Sequence, residues 1–451
     1  MVTLLTLPAS GDMRNLVKTV ADVPAKYQKP ITAVLNDLDF DVVVRNAIML
    51  LVALTVDDAE KASDTILHLW YSALVRASDL AILQGLRPLV EDVVRKIAGK
   101  TAGSLQAKTW EFNKSSLRLV LAKESWTSLL AFFNVPADLS ATKAKQIRTD
   151  VTMAPSRKDY IHRNLVAQPP YHRICKMRFR EDGLLLPFGY SRREFSVPNP
   201  TFFQTASWPM MDSAEPCAGW HYLDILKTSS GPVFNDLYGK LYVHIMEHLT
   251  KFHRQIANHG IHLQLHHRDA AHLPAVLQPG TFARIETSNI ADIWCLGVKQ
   301  LVTRLLPLLQ ASVNNPHATL MTTFMNAVHE IRRHDTPQSM HHEVARVMEY
   351  IPLPRPPGRN PPDAAFTLRI TALELVRDNA FYFNKYMKQL DFEGVARTAG
   401  ARMKTRNSIV EDWPLRVKRK AGQPGAEGEF RTVLASDHTG IERYVEWART
   451  A

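Results

Sequence analysis

Cysteine is nearly absent from this chain: Cys175, Cys217 and Cys295 are the only three in 451 residues, and they are widely spaced. Three scattered cysteines build neither a disulfide framework nor a zinc module, so the composition points to a reducing compartment, the cytosol or nucleus. Long apolar runs are missing too. The longest candidate, AIMLLVAL from Ala47, falls far short of the roughly 18 residues that mark a membrane helix. The first residues carry neither a basic stretch nor a small-residue cleavage site, which argues against a secretory leader. Glycine is sparse where a dinucleotide fingerprint would need three: the opening stretch LTLPASGDMRN, residues 4 to 14, has one. Acidic residues are the last shortage, 44 against 55 Lys and Arg.

The basic excess is clustered. Residues 141 to 180 hold ten Lys or Arg against two Asp, and residues 397 to 420 hold eight against Glu411 and Asp412. Such blocks suit a polyanion, phosphates above all. Tyr160, His162, Tyr171 and His172 are interleaved with the first block, which favours RNA, because unpaired bases stack on such rings. The residues expected to meet phosphates are Arg157, Lys158, Arg173, Lys176, Arg178, Arg416, Lys418, Arg419 and Lys420. The competing reading is a solvated basic face.

The order of elements predicts an α/β protein: a Rossmann-like doubly wound parallel sheet with a large loop-rich insertion and a helical C-terminal region. The apolar opening stretch and ITAVLND read as short strands. Residues 41 to 55, 60 to 77 and 79 to 98 have helical spacing, and SSLRLVLAKESWTSLLAFF reads as one more helix. A helix is expected from Pro232 to Asn258. IHLQLHH, TFARIE and ATLMTTF then read as strands, with DAAHLPAVL and IADIWCLGVKQLVTRLLPLL as helices. The domain layout follows. Residues 1–134 and 231–349 are the two parts of the Rossmann-like domain, and 135–230 is an insertion rich in proline, arginine and aromatics. Residues 350–363, within IPLPRPPGRNPPDAAF, form a stiff linker, and 364–451 a basic helical region.

Ligands of doubly wound sheets bind at the carboxyl ends of the strands. Four such ends are polar here: Ser10-Gly11-Asp12, Asn36-Asp37, Arg268-Asp269 and Glu286-Thr287-Ser288-Asn289. One polar turn is ordinary helix capping; four together point to an anionic or ribose-bearing ligand beside helix N-termini. Two other patterns read as structure. HIMEH, His244 to His248, matches an inverted zinc-protease motif, but 18 histidines make a chance match easy, so a partly buried helix face is expected and no metal. Trp70 and Tyr71 read as a core aromatic pair.

Longer stretches carry a resemblance. TLPASGDMRNLVKT, LNDLDFDVVVRN, LHLWYSAL, RFREDGLLLPFG, PNPTFF, FARIETSNIADIWCLG and ERYVEW, in this order over nearly the whole chain, resemble a fungal family. Members standing alone at this length look like arginine-containing cyclodipeptide synthases. The N-terminal part is also distantly similar to the methyltransferase-like domain of the axonemal dynein pre-assembly factor, which implies fold rather than reaction. The synthase resemblance implies an enzyme that joins arginine from arginyl-tRNA with a residue from a second aminoacyl-tRNA, and that needs no cofactor because the amino acids arrive activated. It implies Ser10, Asp12, Glu286, Ser288, Asn289 and Glu442 as catalytic candidates. Gly11, Arg14, Asn36, Asp37, Asp269 and Asp292 would bind substrate. An S-adenosylmethionine-dependent methyltransferase and a non-enzymatic assembly scaffold stand as alternatives.

Overall fold

The computed structural model describes residues 3–333, 337–352 and 364–450. The chain opens with β1 (Thr3–Leu7), α1 (Arg14–Ala21), β2 (Ile31–Asp37), α2 (Phe40–Thr55) and α3 (Ala59–Tyr71). It continues through β3 (Leu74–Arg76), α4 (Ala77–Lys96), β4 (Leu105–Phe112), β5 (Ser115–Ala122), α5 (Lys123–Leu129) and α6 (Ala141–Thr152). Next come α7 (Lys158–Val166), α8 (Pro170–Asp182), β6 (Phe195–Pro198), α9 (Tyr222–Lys227), α10 (Leu237–Asn258) and β7 (Ile261–His267). The C-terminal part holds β8 (Arg284–Glu286), α11 (Val298–Leu305), β9 (Thr319–Phe324), α12 (Ala327–Arg332), α13 (Pro337–Tyr350) and α14 (Ala364–Val376). It ends with α15 (Asn379–Gln389), α16 (Phe392–Ala399), β10 (Ala401–Met403), α17 (Ala426–Leu434) and β11 (Arg443–Arg449). The protein is mixed α/β, with both parallel and antiparallel strand pairs. No helix among the described residues is long and apolar enough to cross a membrane.

The chain divides into two units, Met1–Ser156 with Tyr171–Ala270, and Arg157–Pro170 with Ala271–Ala451. In the first, the strands run in the order β1-β2-β7-β5-β4. The pairs β1/β2, β2/β7 and β5/β7 are parallel, and β4 closes the row antiparallel to β5. Leu5 lies opposite Ala33, and Leu35 opposite Leu265. Helix α2 is buried from Val43 to Val44 and from Asn46 to Ala53, and from Ala47 to Leu54 it is apolar on every side, as expected of a helix with no solvated stripe there. Aspartates fix where helices begin: Asp39 accepts the Asp41 and Val42 N–H groups, Asp58 those of Glu60 and Lys61, and Asp236 that of Gly239. A separate two-stranded antiparallel sheet joins β3 to β6.

In the second unit β8 pairs parallel with β9, β9 antiparallel with β11, and β11 antiparallel with β10. An aromatic core packs there: Phe324 lies edge-on to Phe383 and Tyr386, and Phe392 sits 5.9 Å from Trp447. Four helices and two strands occupy the described part of 364–451. The expected proline-rich linker lies outside the described residues from 353 to 363.

Several local expectations change. SSLRLVLAKESWTSLLAFF is not one helix: Ser115–Ala122 is β5, and only Lys123–Leu129 is helical. Leu117, Leu119 and Leu121 share one buried face, and the ladders to β4 and β7 select the strand over the helical alternative. The helix expected over 290–309 shrinks to Val298–Leu305, because Gly297 sits at φ +77° and its N–H, with that of Leu296, turns back to the Ile290 carbonyl. Residues 60 to 77 end their helix at Tyr71 and enter β3. Within the stretch read as loop-rich, α6, α7 and α8 occupy most of 141–182. Arg148, His172, Lys176 and Arg180 are buried there, and buried polar residues hide helical periodicity from a hydrophobic pattern.

Gly183 ends α8 at φ +69°, and an added Cβ would lie 2.8 Å from Ala73 Cβ and 2.8 Å from Arg148 Nε. Gly183→Ala is expected to destabilise the first unit by about 2 kcal/mol from the left-handed backbone alone. The contact with Ala73 adds to that cost. A urea midpoint equal to that of the wild type would refute this account.

Candidate active site

The opening turn is built by hydrogen bonds between strand ends. The Ser10 N–H donates to the Asn36 carbonyl at 2.8 Å, and the Gly11 N–H donates to Asp37 Oδ2 at 2.8 Å. Asn36 Nδ2 donates to the Pro8 carbonyl at 2.7 Å and to the Arg268 carbonyl at 2.9 Å. Three strand ends, after β1, β2 and β7, thus meet. Gly11 adopts φ +54°, a conformation that suits glycine, and its carbonyl accepts from Asn46 Nδ2 at 2.8 Å.

Beyond this turn lies a cavity of about 410 Å3, lined in part by Gly11, Asp12, Arg14, Arg45, Tyr71 and Glu215. That is within the size range of small-molecule sites, roughly 300 to 1,000 Å3. Trp70, Phe179, Phe202 and Trp208 supply apolar walls, and exposed Met210 and Met211 also line it. Trp70 and Tyr71 stack with centroids 5.1 Å apart, so the pair expected in the core is also a wall of the cavity. The Trp220 Nε1–H donates to the Tyr71 hydroxyl at 2.9 Å. Burial, reinforced by the charge of Asp12, raises the Tyr71 pKa and keeps the phenol protonated.

Most charged groups here have partners. Asp12 Oδ1 accepts from the Arg14 N–H at 3.0 Å and from Arg14 Nε at 2.7 Å. The Arg14 guanidinium lies over Gly219, where an added Cβ would fall 1.3 Å from Nη1 and displace it. Arg45 lies 3.7 Å above the Phe202 ring and donates to the Trp70 carbonyl at 2.9 Å. Burial lowers its pKa to about 10, which leaves it a cation at neutral pH. Arg148 donates to the Arg180 and Phe179 carbonyls at 2.7 and 2.8 Å, and burial brings it to about 10 as well. Glu215 accepts from the Tyr238 hydroxyl and lies 3.6 Å from Lys176 Nζ. The arrangement places two carboxylates, Asp12 and Glu215, and three guanidiniums, Arg14, Arg45 and Arg148, among aromatic and aliphatic walls. Such a site suits a small molecule with an apolar body and charged ends.

Four first-unit candidates, Ser10, Asn36, Asp37 and Asp269, do not line this cavity. Asn36 is buried and holds the turn together, and Asp269 is exposed after β7. Asp37 orients Gly11 and also accepts the Asp39 N–H at 3.0 Å. In the second unit, Ser288 adopts φ +51° and its Oγ lies 3.4 Å from Asn289 Oδ1. Asp292 is buried, and its Oδ2 accepts from the Met325 N–H, the Asn326 N–H and Asn326 Nδ2 at 3.2, 3.1 and 2.9 Å. Burial raises its pKa despite those three bonds. It secures the turn after β9 rather than projecting as a surface acid. Glu442 Oε1 accepts from Thr439 Oγ1 at 3.1 Å, and Glu286 ends β8.

Among the residues expected to meet phosphates, Lys176 is a correction. It is 2% exposed and faces Glu215, so it offers no surface to a polyanion. Arg157, Lys158, Arg173, Arg416, Lys418, Arg419 and Lys420 are exposed. Lys418 pairs with Glu411 at 2.8 Å, and Arg178 lies over the Phe188 ring at 4.6 Å. His244 and His248 of HIMEH pack edge-to-face 4.5 Å apart beside Trp220, buried on α10. No group of three or more His, Cys, Asp or Glu among the described residues is placed to hold a metal ion. Arg45, Arg148 and Glu215 escaped the sequence reading because α2, α6 and the segment before α9 bring them to the turn from far along the chain.

Residues 2–75 match the model of one family, described as a domain of unknown function (DUF4470). That match takes in β1, the Gly11 turn, β2, α2 and α3. No curated protein and no solved structure matches the chain.

Proposed function

We propose that the protein is a cytoplasmic, tRNA-dependent cyclodipeptide synthase, joining arginine from arginyl-tRNA with a residue from a second aminoacyl-tRNA into a diketopiperazine. The reading takes the first unit's parallel strands as a Rossmann-like frame and the cavity beside Gly11 as the aminoacyl site. The observation that carries it is the cavity beside Gly11, where two carboxylates, Asp12 and Glu215, and three guanidiniums, Arg14, Arg45 and Arg148, stand among aromatic and aliphatic walls. A guanidinium or an α-ammonium is the cation its carboxylates would hold. The long motifs that resemble the synthase family support it further, as do the exposed basic residues of both blocks.

The chemistry is acyl transfer. The amine of one aminoacyl group attacks the ester carbonyl of the other, and the 3′-hydroxyl of that tRNA leaves. The remaining amine then attacks the second ester and closes the six-membered ring, releasing the second tRNA. Each step needs a base for the amine proton and donors for the oxyanion. Asp12 is the acid nearest the opening turn, and a protonated Tyr71 is available as a donor. The methyltransferase alternative would need a free acid after β2, and Asp37 is occupied by the Gly11 and Asp39 N–H groups.

The test is expression in a microbial host, with mass spectrometry for arginine-containing cyclic dipeptides, and the same for Asp12→Asn. Asparagine keeps an oxygen for the Arg14 N–H and loses only the charge. Product is expected from the wild type, and roughly a hundredfold less from Asp12→Asn at unchanged melting temperature. No such product from well-folded wild type would sink the function. Full product from Asp12→Asn would move the site elsewhere.

A further inference from the structure

We propose that the second unit carries a pocket for a phosphomonoester, distinct from the cavity beside Gly11 and independent of the synthase reading. The junction of α14 and α15, the segment Trp413–Val417 and one side of α13 enclose a cavity of about 220 Å3. Three guanidiniums line it, Arg346, Arg377 and Arg416, against one carboxylate, Asp378. That carboxylate is already engaged: Oδ1 accepts the Phe381 N–H at 3.0 Å and caps α15.

Arg377 is the built part of the pocket. Its side chain is 2% exposed, with Nε donating to Glu343 Oε1 at 2.9 Å and Nη2 to Glu343 Oε2 at 3.3 Å. Nη1 is buried with no hydrogen-bond partner, and Glu374 Oε1 stands off at 3.9 Å. A buried cationic donor without a hydrogen-bond acceptor is costly, and the charge of an anion in the adjoining cavity would offset that cost. The guanidiniums of Arg346 and Arg416 take part in no hydrogen bond or ion pair among the described residues, which leaves both to face a ligand.

Backbone geometry adds to the side chains. Asp378, Asn379 and Ala380 line the cavity, and they form the N-terminus of α15, an 11-residue helix. The positive end of the helix dipole and its free N–H groups therefore point where the guanidiniums converge.

Size and charge select the ligand. The cavity is smaller than the roughly 300 Å3 at which sites for drug-sized molecules begin, so it accepts a compact group. The open guanidinium forks of Arg346 and Arg416 present more donors than the two oxygens of a carboxylate can engage, whereas a phosphate offers three oxygens and up to two charges. The group is either that of a small phosphate ester or the terminal phosphate of an RNA strand.

Calorimetric titration of the full chain distinguishes the two. The probes are inorganic phosphate, adenosine 5′-monophosphate, and one short RNA with and without a 5′-phosphate. Phosphate and the nucleotide are expected to bind at low salt, and Arg346→Gln with Arg416→Gln is expected to weaken both at least tenfold at unchanged melting temperature. At least tenfold tighter binding of the phosphorylated RNA than of its dephosphorylated form assigns the pocket to RNA ends. Equal binding of the two RNAs, alongside nucleotide binding lost in the double variant, assigns it to small esters. No binding of any phosphate probe by the wild type, or affinities unchanged in the double variant, would overturn the proposal. Because no step of this test involves cyclic dipeptides, its failure and that of the synthase reading are separable.

Discussion

Acidification from pH 6.5 to pH 4 is expected to strip the first unit of much of its stability. In four of its buried histidines the folded-state pKa falls below the ordinary 6.5: His172, His244 and His266 to about 4, and His248 in the same direction. Burial is the main cause in all four. Lys176 adds to it at His172, His248 at His244, Arg268 at His266 and Lys18 at His248. The sign follows from linkage. A base with a depressed folded pKa is neutral in both states above its unfolded value, so its contribution is intact there. As pH falls from 6.5 through about 4, the unfolded chain takes up protons that the folded chain refuses, and stability drains away. At the lower end each of the three histidines near 4 removes up to about 3 kcal/mol, and less where solvent screens the charge. Even one such loss is a sizeable fraction of the stability of a typical domain, about 5 to 15 kcal/mol. Urea midpoints across this range, read by a probe in the first unit, should fall steeply. His266→Leu should flatten part of the fall, since both of its ring nitrogens lack hydrogen-bond partners among the described residues. A flat midpoint from pH 6.5 to 4.5 would contradict the histidine account.

Glu446→Ala is expected to cost the second unit about 3 to 5 kcal/mol, the range for breaking a buried ion pair from one side. Glu446 is fully buried on β11. Its Oε2 accepts from Lys404 Nζ at 2.9 Å and from the Ser408 N–H and Oγ at 2.8 Å each. Its Oε1 accepts from the Ile409 and Val410 N–H groups at 2.6 and 3.3 Å. One carboxylate thus anchors the segment after β10, and alanine leaves a lysine and three backbone donors without it. Burial alone would raise the Glu446 pKa, but these hydrogen bonds outweigh it and hold the pKa below the usual 4.5. The stability it supplies is therefore present above that value and is lost as pH falls through the lower folded pKa, a window more acidic than that of the histidines. Thermal melts and limited proteolysis near residues 404 to 410 would register the loss. A change of less than about 1 kcal/mol would show that the network is dispensable.

What local chemistry encodes was legible in the sequence. ITAVLND and IHLQLHH are strands because their apolar runs end in polar residues, and both lie in the parallel row of the first unit. Ser10, Gly11, Asn36 and Asp37 meet through hydrogen bonds, as polar strand ends do when parallel strands lie side by side. HIMEH forms a buried helix face, as its spacing on α10 implies. The strands and the helix face depend on residues a few positions apart, and the meeting of the strand ends follows once those strands pair in parallel.

Tertiary structure decided the rest. SSLRLVLA has a pattern compatible with either helix or strand, and its partners in β4 and β7 settle it as a strand. Lys176, Arg148 and Arg377 look in the sequence like any other basic residues of a charged stretch. They are buried because Glu215, the Phe179 and Arg180 carbonyls, and Glu343 meet them from distant positions. Asp292 reads as a strand-end acid available to substrate, yet the backbone of Met325 and Asn326 claims its Oδ2. The cavity beside Gly11 draws on residues from 11 to 219, and no window of sequence contains it. Local sequence fixes where a side chain starts, but the partner that decides whether a charge is solvated, neutralised or turned into a site comes from elsewhere in the chain, through folding.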